Sequence, residues 1–563
     1  MTLVSHRLQL SLRASLALAA LVLMLMLAAA CATPAEPHAT QSPITPQRDW
    51  PTLTPFLPGP SATPTFTPQP ATPTPQPSLY VAAYIPSSLR AALKLPQGWL
   101  LSEDPATATA RLAVETQSPN GRWLYALVAP FPTLLDGVSA AELRDAWGGQ
   151  PPAAMPVPLL MDESTYGVLS AWWGPPSPQA VEIVTSEQLL QTAWEKRPAW
   201  AIVPFDALEP RWKVLTIDGQ SPIHKDFEAE SYALSVPFSV PPALALPTTN
   251  RDPARLTTLV MTGVTALVRA TAWTMELEGL LYPAEDIGGW LREADITHIS
   301  NEVPFDPDCP YPNPGQQELV FCSDPKYIAL LDDVGTDVVE LTGDHFIDTG
   351  PEATLFTLDL YHQRGWLTYG GGATLEEALR PATLTHNGNA IAFVGCNAKG
   401  GGYATASASY PGAAACGYDA LRETIADLTR QGYLVIVTFQ HKEYYSYQVL
   451  PEYRLDFTAM ADAGAIIVQG SQAHQPQNLE FYNGAFIHYG LGNLFFDQLK
   501  EVGGDQQPLD RAFIDRHVFY AGRYISTELL TIKFVDFARS RPMTLEERQA
   551  FLTVIFKTSG WGR

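Results

Sequence analysis

The sequence predicts a mixed α/β (α+β) protein with more than one folded unit, and three observations carry that reading. Hydrophobic residues make up 46% of the 563 positions and charged residues 17%, a globular balance. A chain of this length exceeds what one hydrophobic core usually serves. In the second half, short apolar runs alternate with helix-like stretches, the rhythm of helices covering the faces of a sheet.

The chain opens with His6, Arg7 and Arg13 ahead of an uncharged run from Ala14 to Ala30, a basic segment followed by an apolar one of secretory type. Cys31 follows Ala28-Ala29-Ala30 directly. Residues 1–31 resemble a bacterial lipoprotein signal, which implies that Cys31 is lipidated and becomes the mature N-terminus. A retained single-span anchor is the alternative, and both place the body outside the cytoplasmic membrane and attached to it. Residues 32–78 read Thr-Pro and Gln-Pro repeatedly, with 14 prolines between Pro34 and Pro77. Proline fixes φ and removes a backbone donor, so an extended, solvated tether is expected. At the polyproline rise it would reach about 140 Å.

Residues 79–247 form the first expected unit. A strand from Tyr80 to Ile85, helices at Ala140 to Trp147 and Ser186 to Lys196, and strands at Trp200 to Pro204 and Trp212 to Ile217 are legible from pattern. The stretches Ala141 to Gly149 and Trp200 to Asp206 look like a lobe of a periplasmic solute-binding protein. Trp172, Trp173, Trp194, Trp200 and Trp212 suit a ligand cleft, although buried aromatic residues more often pack a core.

Residues 256–538 form the second expected unit. Its strand-like runs are Leu256 to Met261, Ile296 to Ser300, Asp337 to Leu341, Ala390 to Gly395, Leu434 to Gln440 and Ile466 to Gln469. Helical patterns lie between several of them: Ala284 to Glu293, Lys326 to Val334, Ala353 to Gln363, Tyr418 to Gln431 and Arg454 to Asp462. A hairpin turning at Asn483-Gly484 and a long strand from Ser526 to Phe537 follow. In the tail, 539–563, the capping box Thr544-x-x-Glu547 opens a final helix.

Residues 81–563 carry 32 basic against 56 acidic groups. Such a surface repels nucleic acid, and an anionic ligand needs a cation or a local basic patch. Apart from Cys31, four cysteines remain. Cys309 and Cys322 bracket a Pro-rich loop, Cys396 and Cys416 a Gly/Ala/Ser-rich one. In an oxidising compartment two local disulfides are the simplest pairing, each worth roughly 3 kcal/mol by loop closure, with free, reduced thiols as the alternative; neither pair has zinc-site spacing.

The chemistry-bearing residues cluster where apolar strands end: Ser300-Asn301-Glu302, Gly343-Asp344-His345-Phe346-Ile347-Asp348, Gln440-His441-Lys442-Glu443-Tyr444 and Gly470-Ser471-Gln472-Ala473-His474. Carboxyl ends of strands in an α/β sheet converge on one crevice, so distant side chains can share a ligand there. Together with Ile487 to Asp497, these motifs, in this order, resemble the bacterial capsule-synthesis CapA family. The resemblance implies poly-γ-glutamate capsule synthesis or export and a calcineurin-like metallophosphatase sandwich in 256–538.

Several positions depart from the family pattern. Gly263-Val264 stands where the family opens with Gly-Asp, Gly343-Asp344-His345 replaces Asn-Asn-His, His441-Lys442-Glu443-Tyr444 is a shortened His-Trp-Gly-x-Glu-Tyr, and Gly470 to His474 replaces Gly-His-His-Pro-His. Two imidazoles and one carboxylate are lost. What remains implies one mixed nitrogen/oxygen site for zinc, manganese or iron. Its expected ligands are Glu302, Asp344, His345, His441 and His474, with His345, Asp348 and His441 in acid–base roles. Asn301, Lys442, Glu443 and Tyr444 are expected to contact the ligand. Plainer readings also exist: Asn301 and Glu302 suit a loop cap, His441 and Glu443 a solvated pair, and His474 a satisfied polar loop residue.

Three functional classes follow. One is an envelope lipoprotein acting on or holding an anionic capsule polymer alongside membrane-bound synthesis enzymes. The others are an active metal-dependent phosphoesterase and a catalytically dead scaffold.

Overall fold

The computed structural model describes residues 76–400, 402–498 and 508–562, and these belong to one compact unit, Pro75–Arg563. The expected signal segment, Cys31 and the tether up to residue 75 lie outside the described residues. Among the described residues no helix is long and apolar enough to cross a membrane.

The N-terminal part is built on a mixed sheet. Its strands run in the order Leu100–Ser102, Ser78–Val81, Ala110–Val114, Ser235–Ser239, Gly121–Pro130, Ala201–Pro204, Leu159–Met161 and Val181–Ile183, with Trp212–Val214 paired to the end of Gly121–Pro130. The central strand Gly121–Pro130 is buried almost throughout, which explains its unbroken apolar run Trp123 to Val128. Helices Ala140–Trp147, Glu163–Trp173 and Ser186–Glu195 accompany the sheet, the first held by a full capping box between Ser139 and Glu142. The tryptophans belong to packing. Trp200 and Trp212 are buried, while Trp172 and Trp173 stack on each other beneath the Arg144 guanidinium.

The C-terminal part is a four-layer sandwich. One sheet runs Leu367–Tyr369, Val338–Glu340, Ile296–Asn301, Leu256–Thr262, Arg511–Tyr520, Arg523–Phe534 and Ser540–Pro542. The other runs Ala382–His386, Asn389–Asn397, Leu434–Gln440, Ile467–Gln469, Ala485–His488 and Leu479–Tyr482. Strand alternation sorts the side chains into layers. Leu259, Met261, Val338, Phe393, Ile436 and Ile467 meet between the sheets. Their neighbours Val260 and Val339 turn outward to one helical layer, and Val394, Val437 and Val468 to the other.

The predicted hairpin forms, with Asn483 at φ 47° and Gly484 at φ 83° carrying the turn. The capping box at Thr544 opens the helix Leu545–Thr558. Cysteines pair as expected, Cys309 with Cys322 and Cys396 with Cys416. The two expected units pack as one body, because Val518, Tyr520 and Ile525 of the C-terminal sheet complete the core of the N-terminal part. Ion pairs reinforce the junction: Asp136, itself paired with Lys213, reaches Arg548, and His224 reaches Glu528.

Candidate metal centre

The parallel strands of both sheets end at one crevice. Glu302 follows the strand Ile296–Asn301, Asp344 and His345 follow Val338–Glu340, Gln440 closes Leu434–Gln440, and His474 lies beyond Ile467–Gln469. Two close approaches bring these ends together. A Cβ on Gly263 would lie 1.9 Å from the Gly492 carbonyl, and one on Gly470 would lie 1.9 Å from that of Tyr489, so only glycine lets the loops cross there.

Glu302, Asp344 and His345 each offer a ligand atom, and those atoms lie within 4.8 Å of one another. Nδ1 of His345 bonds Asp348 Oδ2 at 2.7 Å, and that oxygen also accepts the Phe321 amide N–H at 2.9 Å. The ring is thereby oriented, with Nε2 left as its free ligand atom. Burial disfavours the imidazolium, but Asp348, Glu302 and Asp344 overcome it and push His345 up to about 9. His474 Nε2 lies 3.6 Å from Glu302 and 3.9 Å from Glu443, while its Nδ1 bonds Asn493 Oδ1 at 2.9 Å. Burial opposes its proton too, and the two glutamates raise it above its ordinary value. Glu443 is pushed down to about 2, against burial, by His474, Lys399 and the Tyr445 hydroxyl.

A cleft of 810 Å³ opens over this cluster, walled by Arg269, Trp273, Phe321 and Phe496. Arg269 is held by Asp497 and sits over the rings of Phe321 and Phe496. Below the cluster lies a buried polar seam. Glu340 accepts the Thr342 hydroxyl at 2.6 Å and that of Ser471, and burial pushes His298 down to about 3, keeping it neutral.

The structure gathers Glu302, Asp344, His345, Asp348, Glu443 and His474, but not every expected residue. His441 turns away, because successive side chains of an extended segment point to opposite sides and Gln440 takes the inward place. Its Nε2 bonds Asp456 at 2.8 Å and its ring stacks on Tyr453 at 4.2 Å. Lys442 and Tyr444 share that separate small pocket with His441, and the cation beside the cluster is not Lys442. Asn301 points into the fold, donating to Val303 O at 2.6 Å and to the Tyr361 hydroxyl at 2.9 Å.

Two residues at the cluster were not anticipated. Lys399 Nζ contacts Asp344 Oδ2 at 2.8 Å and Glu443 Oε1 at 2.7 Å. Gln440 Nε2 donates to Asp344 Oδ1 at 2.6 Å. Both follow the strand-end rule, since Gln440 ends one strand and Lys399 comes two residues after Asn397 ends another. The position expected to have lost a carboxylate, Val264, belongs to an apolar cluster with Ala266, Val303, Phe321 and Phe496.

Fold and cluster thus define a mixed α/β protein with a carboxylate–imidazole site of metal-ligating type. Residues 258–498 match the family model of the bacterial capsule synthesis protein PGA_cap. The chain is 26% identical over 204 residues to the PGA biosynthesis protein CapA of Bacillus subtilis (strain 168), covering 36% of this chain and 52% of that protein. It is 24% identical over 277 residues to the capsule biosynthesis protein CapA of Bacillus anthracis, covering 48% and 66% respectively. The chain therefore spans between half and two thirds of the length of these curated relatives. Among solved structures, a 5'-nucleotidase precursor from Thermus thermophilus aligns with 54% of this chain and 58% of its own at 13% identity and a TM-score of 0.30. An ABC-type phosphate transport receptor from Vibrio cholerae aligns with 31% and 88% at 9% identity and a TM-score of 0.25.

Proposed function

We propose that the chain is a cell-envelope lipoprotein of capsule or poly-γ-glutamate synthesis or export, and that its cleft holds the anionic polymer at a divalent metal ion. The observation that carries this reading is the convergence of Glu302, Asp344 and His345 in the domain that matches the capsule-synthesis family. Two carboxylates and an imidazole whose tautomer a third carboxylate fixes are a donor set suited to zinc, manganese or iron. Glu302, Asp344 and His345 would hold the ion, with His474 beside them. Bound there, it would add to the positive charge of Arg269 and Lys399, both already paired with carboxylates, for an anionic ligand. The chain's own part is to orient His345 through Asp348, to fix Asp344 through Gln440, and to shield the cluster under Phe321 and Phe496. Lipidation at Cys31 would tie the body to the membrane near the synthesis enzymes. The calcineurin-like sandwich belongs to this proposal, as does the solute-binding likeness of residues 79–247.

The test is retention of poly-γ-glutamate by the immobilised full chain with Mn²⁺ and with EDTA. Wild type should retain polymer only with metal, and Glu302→Gln and His345→Ala should lose it. Equal retention by all three would refute the reading. Metal-dependent cleavage of a generic phosphodiester that His345→Ala abolishes would favour a phosphoesterase instead.

A further inference from the structure

Asp344 and Glu443 converge from two sides on one point, and that point is an ammonium. Lys399 Nζ sits 2.8 Å from Asp344 Oδ2 and 2.7 Å from Glu443 Oε1, distances of charge-assisted hydrogen bonds. The side chain comes from a fixed base. The Ala398 and Lys399 amides both donate to the Gln440 carbonyl, at 2.7 and 3.1 Å, extending the pairing of the two strands. Just upstream, Cys396 is tied to Cys416.

Without that ammonium, Asp344 and Glu443 would face each other unbalanced across the place it fills, with His474 next to Glu443. His474 Nε2 already lies within 4 Å of both Glu302 and Glu443. Asp344 would have to bridge two ions, yet Gln440 takes one lone pair of its Oδ1 at 2.6 Å and Lys399 one of its Oδ2, which leaves room to ligate one ion and crowds out a second. Charge points the same way. Glu302, Asp344, Asp348 and Glu443 carry four negative charges, which one ammonium and one divalent ion bring to within one unit of balance. A second divalent ion would turn that into a positive excess and set two dications and an ammonium a few ångströms apart, where like charges repel strongly.

We infer that Lys399 is the built-in second cation of this cleft, excluding a metal ion from between Asp344 and Glu443 and limiting the cluster to one. The inference rests on the metal-holding role proposed above.

The experiment is equilibrium dialysis of the full chain against Mn²⁺, with metal per chain read by mass spectrometry. Wild type should saturate at one ion. Lys399→Met should take up one more ion than wild type, and Lys399→Arg, which keeps the charge, should not. Equal uptake by Lys399→Met and wild type would overturn the inference. So would two ions in wild type, a result that does not depend on any variant folding; Lys399→Gln, checked by its melting curve, repeats the comparison should Lys399→Met fail to fold. No ion in wild type but one in Lys399→Met would overturn the metal-holding reading and, with it, the limit of one ion. No ion in either would overturn both.

Discussion

At His345 the structure makes two separable demands on one ring. Its Nδ1 is committed to Asp348 at 2.7 Å, so Asp348→Asn leaves the ligand atom present but releases its aim. Loss of such an orienting partner typically costs 10–100-fold in metal affinity. Calorimetric titration with Zn²⁺ should show that loss, and unchanged affinity would contradict the orienting role. The second demand concerns pH. The folded protein pushes His345 up to about 9, above the unfolded value of about 6.5. The folded state therefore binds the proton more tightly, so this stabilisation is fully present below about pH 6.5 and fades as pH rises through about 9. In metal-free protein, the difference in melting temperature between wild type and His345→Gln should shrink over that window; a growing difference would contradict the assignment.

At the scale of elements, the site depends on loops crossing where no side chain fits. Gly470→Ala would place a methyl 1.9 Å from the Tyr489 carbonyl, and such overpacking costs about 3 kcal/mol. Urea unfolding of Gly470→Ala should show a loss near that size, whereas a loss below about 0.5 kcal/mol would mean that the loops do not cross there. Much of this level was legible beforehand. Apolar runs such as Leu434 to Gln440 mark parallel strands because both faces are buried, and Asn483-Gly484 marks its turn. The strand Arg511–Tyr520 was not legible. Arg516, Asp515 and His517 interrupt its apolar pattern, and only the fold shows that Asp515 and His517 are buried and bonded, to His488, Gln469 and Thr527. The site divides the same way. Strand ends named Glu302, Asp344, His345 and His474, but neighbours in sequence do not share a direction in an extended chain. That is why His441 was expected in the cleft and Gln440 was not.

At the scale of the whole molecule, the N-terminal part and the sandwich are fastened by charge as well as by core. Asp136 bonds Lys213 at 2.7 Å and Arg548 of the last helix at 3.0 Å. Burial alone would raise its carboxyl, yet Arg548 and Lys213 push it down to about 2. Its contribution is thus present above the ordinary carboxylate range and is lost as pH falls toward 2. Since Asp136 is 44% exposed, solvent screening limits the expected loss in Asp136→Asn to about 1 kcal/mol. That loss should appear in urea unfolding at pH 7 and dwindle at pH 2 to 3; a loss that persists in acid would contradict the pairing. The proposed function requires residues from separate strand ends to meet and hold one ion. Anomalous diffraction from Mn²⁺-soaked crystals tests this most directly. The expected result is a peak about 2 Å from Glu302, Asp344 and His345 Nε2; a peak at His441, or a cleft without one at saturating metal, would contradict it.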